Sequence, residues 1–239
     1  MSMSDSPSPD FFPLPSGSSG APLCDAGLSG TGYSDAGIRD MVLTMLGSGE
    51  LPPIVQAGDP VLRSPAKPVA GQVSASELEA LIELMRRTMH EAPGVGLAAP
   101  QIGLPLQLAV VEDLYELPAE IAEERARSPL EFLALLNPRY QAIGSGTASF
   151  YEGCLSMRGW QAVVERPSRV RLTYDDATGL ACHREFSGWA ARIVAHETDH
   201  LHGTLYIDKA LTRSLADDTE YSQRWAEPGI SLAREGLRF

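Results

Sequence analysis

Two imidazoles and a carboxylate stand together in His196-Glu197-Thr198-Asp199-His200. Four positions apart on a helix, the two rings share one face and can bind a single metal ion, with Glu197 on the same side to handle a proton. The chemistry this points to is metal-assisted hydrolysis. Because a His-Glu-x-x-His match also arises by chance, its surroundings decide what it means. From Gly188 to His202 the chain reads as one helix, with Ser187 as its N-cap and Gly203 just past its end. Counting by threes and fours, Trp189, Ile193, His196, Glu197 and His200 fall on the core-facing stripe. Three ionisable groups on such a face need partners. One metal supplies them together, whereas a purely structural cluster would need several separate hydrogen bonds.

Catalytic sites of this type usually have three protein ligands and one open position. A third histidine downstream is ruled out, since position 206 is Tyr206, and Glu220 and Glu227 lie in a tail that reads as solvated. Upstream, Tyr151-Glu152-Gly153-Cys154-Leu155-Ser156 puts a cysteine after an extended apolar run and a glycine that lets backbone approach closely. A thiolate is a strong ligand for a first-row metal, which makes Cys154 the better candidate. Taken alone, it would read equally well as a small buried hydrophobe. A third segment, Gly94-Val95-Gly96-Leu97-Ala98-Ala99-Pro100-Gln101-Ile102-Gly103, is a small-residue loop that fits neither common phosphate-cradling pattern.

Together the three segments resemble the peptide deformylase family, whose motifs G-x-G-L-A-A-x-Q, E-G-C-L-S and H-E-x-D-H stand here, in that order, as GVGLAAPQ, EGCLS and HETDH. The resemblance runs from about Gln56 to Asp208. It implies a metal hydrolase that removes the N-formyl group from the initiator methionine of nascent bacterial or organellar proteins. N-formylmethionyl nascent peptides would be its partners, with a ribosomal contact near the exit tunnel as a further expectation. Cys154, His196 and His200 would be metal ligands and Glu197 the proton-transfer group. The Gln101 side-chain amide and the Leu155 backbone N–H would stabilise the oxyanion. Fe2+ is the implied metal, with Ni2+ or Co2+ as substitutes and Zn2+ able to enter a purified sample. The Cys-His-His set alone would suit zinc as well.

Gly94 and Gly96 permit close backbone approach, so an extended peptide can pair with the segment around Val95 and Gly96 as an added strand. For the methionine pocket the resemblance suggests Val95, Trp189 and Ile193. Glu152 keeps two readings: a carboxylate that accepts the other N–H of a ligating histidine, or a solvated charge at a strand end. The chain departs from common family patterns twice. Met157-Arg158-Gly159-Trp160 follows Ser156 where an aliphatic residue and Pro are usual, and Arg192 sits between two pocket positions.

These groups need a scaffold. Ile38, Met41, Val42 and Met45 predict a short helix over 35–46 with Gly47 as its stop, and Leu78, Leu81, Ile82, Met85 and Met89 predict another over 76–90, capped by a Ser76–Glu79 box. Extended runs at 106–111, 132–136, 162–165, 169–174 and 180–186 read as strands, with Asp175-Asp176-Ala177-Thr178-Gly179 turning one hairpin. The class is α+β, with antiparallel β-sheets wrapped around a central metal-binding α-helix. The expected division is a disordered Ser/Pro/Gly-rich leader (1–34), a short amphipathic helix and linker (35–52), the catalytic domain (53–210) and a C-terminal extension (211–239). Leu114 to Glu131, rich in acidic residues and Arg, reads as a solvated insertion.

Composition sets the outer bounds. At 239 residues and 44% hydrophobic content, the chain can bury one full core. No apolar run is long enough for a membrane helix, and no basic, then apolar, secretory leader opens the chain. Cys24, Cys154 and Cys182 are too few and too scattered for a disulfide framework, which points to a reducing cytoplasm. Cys182-His183 is discounted as a metal pair because strand neighbours face opposite ways. A net charge of −12 argues against nucleic acid as a direct substrate. A general His-Glu-x-x-His metalloprotease and a non-catalytic relative are the competing readings. The first lacks a third His or a convincing downstream Glu ligand; the second would be expected to have lost Glu197, Gln101 or Cys154.

Overall fold

The computed structural model describes residues 33–239, so nearly all of the expected leader, and Cys24 with it, lies outside the described residues. Helix α1 (Asp35–Ser48) buries Ile38 and Val42, two of the four positions its spacing predicted, while Met41 and Met45 are partly buried against the same core. It runs past Gly47, and Gly49, at φ 70°, supplies the left-handed cap instead. Helix α2 (Ala75–Glu91) starts one residue before the expected point. Its capping box is Ser74–Glu77, not Ser76–Glu79. Both frames fit the pattern in sequence, but Arg39 of α1 bonds Glu77 at 2.9 Å and so favours the earlier one.

The strands follow as β1 (Gly96–Ala98), β2 (Leu108–Asp113), β3 (Leu130–Ala142), β4 (Thr147–Gly153), β5 (Trp160–Pro167), β6 (Arg169–Asp175) and β7 (Ala181–Ser187), with the short helix α3 (Ala119–Glu124) between β2 and β3. Helix α4 (Gly188–Leu201) carries the His-Glu-x-x-His segment. Strand β8 (Ala216–Asp217) and helices α5 (Asp218–Arg224) and α6 (Ser231–Leu237) end the chain. One antiparallel sheet has the order β1-β2-β3-β6-β7, and a second has the order β4-β5-β8. Strands β1 and β8 are too short to show periodicity, and β1 exists through its pairing of Gly96, Leu97 and Ala98 with Val111, Val110 and Ala109.

Strand alternation puts Leu108 and Val110 of β2 on one face of the larger sheet, against α1 and α2, and Ala109 and Val111 on the other, against α4. The central helix is thus enclosed: it packs on the larger sheet through Ala191, Ile193, Val194 and Leu201 and also meets β5 of the smaller one. The fold is α+β with antiparallel sheets around α4.

Two segments differ from expectation. The insertion is mostly exposed, as expected, but it is anchored: Arg125 is buried, and Arg127 forms a two-pronged ion pair with the buried Asp113 at 2.8 and 2.9 Å. The alternation of acidic residues with Arg hid the fact that the two signs face different surroundings. The tail is also packed, with Tyr221 and Ala233 buried against Tyr151 and Val163 of the smaller sheet. Its apolar residues are too sparse to show a stripe until β4 and β5 supply the other half of the core.

Candidate active site

Helix α4 begins at Ser187 and Gly188, where Gly188 has φ 57° and presses against Ala126. One turn apart near its C-terminal end, the rings of His196 and His200 lie 5.0 Å apart. Cys154 comes to them from the smaller sheet, directly after β4. Its Sγ is 3.3 Å from His200 Nε2, and one donor atom from each of Cys154, His196 and His200 lies within 4.8 Å of the others. One sulfur and two imidazole nitrogens at that spacing are a donor set that fits a first-row divalent ion. Glu197 is buried beside them, and its Oε2 has no hydrogen-bond partner among the described residues. Burial pushes the Glu197 carboxyl up to about 7.

The outward nitrogen of His196 is held. Glu152 on β4 is buried, and its Oε2 lies 2.9 Å from His196 Nδ1, which leaves Nε2 for the donor cluster. Of the two readings open for Glu152, the solvated charge is therefore wrong: β4 enters the core by this point instead of ending at the surface. Burial would raise the Glu152 pKa, but the Arg166 guanidinium outweighs it and holds the carboxyl well below the usual range. Burial would likewise lower the His196 pKa, and the bonds to Cys154 and Glu152 raise it instead, to about 10. His200 is held well below its ordinary value by burial and by the neighbouring His196.

Arg166 of β5 bonds Glu152 with two nitrogens at 2.6 and 2.8 Å and Asp199 with a third at 2.8 Å. Asp199 also accepts from Tyr140 (3.0 Å) and Lys209 (2.6 Å). Sequence reasoning missed Arg166, Asp199 and Lys209 as supports of the site. A signal existed for Arg166, which shares a strand face with Ala162 and Val164 and so had to be buried with a partner. Arg192, singled out as an oddity near the pocket, turns its guanidinium onto β4 and β5.

On the other side of the cluster lies the small-residue loop. Ala98 N–H donates to Gln101 Oε1 at 2.8 Å, which turns the Gln101 amide nitrogen toward Cys154 Sγ at 3.5 Å. Leu155 follows Cys154 directly, and its carbonyl accepts from Gln56 at 3.0 Å. Gly96 lies against Glu197: a Cβ there would meet Glu197 Cδ at 2.6 Å and Cγ at 2.7 Å. Any side chain at 96 would collide with the carboxylate. Val95, Trp189 and Ile193 join one apolar cluster, with Phe150 edge-on to the Trp189 ring. In the unusual segment after Ser156, Met157 packs inward against Leu205 and Tyr206 while Arg158 is exposed.

This arrangement brings together residues from all three sequence segments, and comparison with known proteins agrees. Residues 51–215 match the family model described as polypeptide deformylase. The chain belongs to that family. It is 52% identical over 202 residues to peptide deformylase 3 of Streptomyces avermitilis, covering 84% of this chain and 90% of that one. It is 49% identical over 210 residues to peptide deformylase 1 of Streptomyces coelicolor, covering 88% and 96%. Among solved structures, a class I type b peptide deformylase from Acinetobacter baumannii, described as bound to Met-Ala-Ser, superposes with a TM-score of 0.60 at 29% identity, covering 67% of this chain and 98% of that one. As a peptide deformylase, the chain is a metal-dependent hydrolase that removes the N-formyl group from the initiator methionine of nascent polypeptides.

Proposed function

We propose that Cys154, His196 and His200 hold the catalytic metal and that Glu197 moves the proton during deformylation. A divalent ion bound there supplies a Lewis acid that makes water nucleophilic near neutral pH. The protein does the rest. Glu197 accepts the proton of the attacking water at its carboxylate and delivers it to the leaving amine nitrogen. The Gln101 amide nitrogen and the Leu155 backbone N–H donate to the oxygen that becomes negative at the tetrahedral carbon. The bond from Ala98 to Gln101 Oε1 supports this role, since it fixes which end of the amide faces the site. Glu152 holds His196 in one tautomer.

The substrate lies extended along Val95 and Gly96, pairing its main chain with the edge strand β1, and its methionine side chain lies against Val95, Trp189 and Ile193. Residues 53–210 form the catalytic domain, preceded by the helix and linker of 35–52 and followed by the extension of 211–239. The metal is Fe2+, with Ni2+ or Co2+ as working substitutes; Zn2+ enters a purified sample. The setting is the cytoplasm, close to the ribosomal exit tunnel where formylated chains emerge. Cys154 and Cys182 are free thiols, and no helix among the described residues is long and apolar enough to cross a membrane.

One observation carries the reading: the buried, unpartnered Oε2 of Glu197 stands beside three converging metal donors. The test is anaerobic turnover of formyl-Met-Ala-Ser by the iron-loaded protein and by Glu197→Ala. The wild type should release formate, and the variant should keep its iron but lose at least about 100-fold in kcat. Equal rates for the two would remove Glu197 from the chemistry.

A further inference from the structure

Glu152 stands at a junction that Arg166 alone does not close. A carboxylate offers about four acceptor positions, two on each oxygen. In this structure all four are used. Oε1 takes Arg166 Nε at 2.6 Å and Arg192 Nη1 at 2.5 Å, and Oε2 takes Arg166 Nη2 at 2.8 Å and His196 Nδ1 at 2.9 Å. Arg192 and His196 are one turn apart on the same face of α4. Glu152 is therefore gripped, one oxygen each, by two side chains of the helix that carries both histidines.

Arg192 does more than fill a lone pair. Its Nη1 also donates to Val164 O of β5 at 3.0 Å, and its Nη2 donates to Ala148 O of β4 at 2.6 Å. The side chain is 5% exposed, and its guanidinium lies over the rings of Phe150 and Trp189. Strand β4 is thus fastened to α4 at Ala148 and again at Glu152, and Cys154 follows two residues after Glu152. The rotation of α4 about its axis and the position of β4 along it decide whether the sulfur and the two ring nitrogens converge.

We propose that Arg192 is a positioning residue for the metal centre: it locks Glu152 onto His196 and sets the register between the strand that delivers Cys154 and the helix that delivers His196 and His200. This inference rests on the ligand set given above. Arg192 is not one of the three metal donors, and acts through Glu152 and the β4 backbone. The unusual arginine between two pocket positions becomes a clamp on the ligands, with its guanidinium engaged by Glu152 and the Val164 and Ala148 carbonyls.

The full-length protein loaded with Co2+ allows the test, with chelator competition for affinity and the visible ligand-field bands for site geometry. Arg192→Met keeps the length and apolar stem of the side chain and removes all three bonds. It should bind Co2+ about 10- to 100-fold more weakly and show altered ligand-field bands. Arg192→Lys can reach one Glu152 oxygen but not both backbone carbonyls as well, and should fall between Met and wild type. If folded Arg192→Met has a lower melting temperature but wild-type affinity and bands, Arg192 is only a packing residue and the inference is wrong. If Arg192→Met does not fold, Arg192→Lys decides, and wild-type affinity in that variant overturns the idea. Failure of the underlying site looks different: wild-type protein would then show no sulfur-to-cobalt charge-transfer band at all.

Discussion

Replacing Gly96 by Ala adds a single methyl group, and the structure gives its consequence a magnitude. The new Cβ would lie 2.6 Å from Glu197 Cδ and 2.7 Å from Cγ, with Oε1 closer still. Carbon atoms in contact sit about 3.5 Å apart, so the clash calls for a displacement of about 1 Å. The clash includes Cγ, so turning the carboxylate about its last bond cannot relieve it. Glu197 is only 5% exposed and has little space to move into. Either its side chain swings away from Cys154, His196 and His200, or β1 moves off α4 and, in the proposed binding mode, shifts the substrate main chain with it. Both outcomes misplace the proton acceptor relative to the scissile bond. A misplacement of about 1 Å costs on the order of 100-fold in rate, about 2.7 kcal/mol of transition-state stabilisation. Gly96 lies in β1 without a positive φ, so the backbone itself accepts alanine and the effect comes from contact alone. The assay is formate release from formyl-Met-Ala-Ser, with kcat and KM separated and metal content measured on the same sample. We expect kcat to fall about 100-fold with metal content unchanged. A Gly96→Ala protein with kcat within about threefold of wild type would refute the argument, because it would mean that Glu197 can move that far without loss.

Other tests address the ligands, the insertion and acid stability. Cys154→Ser should weaken iron binding and abolish the sulfur-to-metal charge-transfer band of the Co2+ form; an unchanged spectrum would remove Cys154 from the ligand set. Arg127→Ala leaves Asp113 buried without its fork and should cost about 3–5 kcal/mol in urea unfolding, whereas Asp113→Leu with Arg127→Met should recover most of that loss. If Arg127→Ala costs under about 1 kcal/mol, the insertion is not anchored by this pair. Glu112 is held below the ordinary carboxylate range first by Arg86, bonded at 2.6 and 3.0 Å, with His90 adding to the effect. Since the folded value is the depressed one, its stabilisation is complete above the unfolded value of about 4.3 and is lost as pH falls through the folded value. Arg86→Gln should therefore be less stable than wild type at neutral pH, with the gap closing in acid. A gap of constant size from pH 7 to 2 would contradict that linkage.

Much of the site was written locally. The His196–His200 pair, Glu197 between them and the α4 stripe need only helical spacing, which any reader of the chain can count. The order of the three motifs was also enough to suggest which cysteine, Cys154, and which glutamine, Gln101, belong with them. Sequence left two questions without an answer. Glu152 could be a solvated charge or a partner for His196, because burial depends on what β5 and α4 place over a strand end. Arg192 could intrude on the methionine pocket or turn away from it, because side-chain direction depends on whether acceptors wait on β4 and β5. The tail was misjudged, and the anchoring of the otherwise exposed insertion was missed, for the same reason: Arg125, Tyr221 and Ala233 become buried, and Arg127 meets Asp113, only when distant segments close over them. The chain by itself thus determined the chemistry, since donor atoms at fixed spacing on one helix are a local matter. Tertiary structure alone decided which charges support that chemistry, since the energy of a buried charge is set by partners that sequence distance conceals.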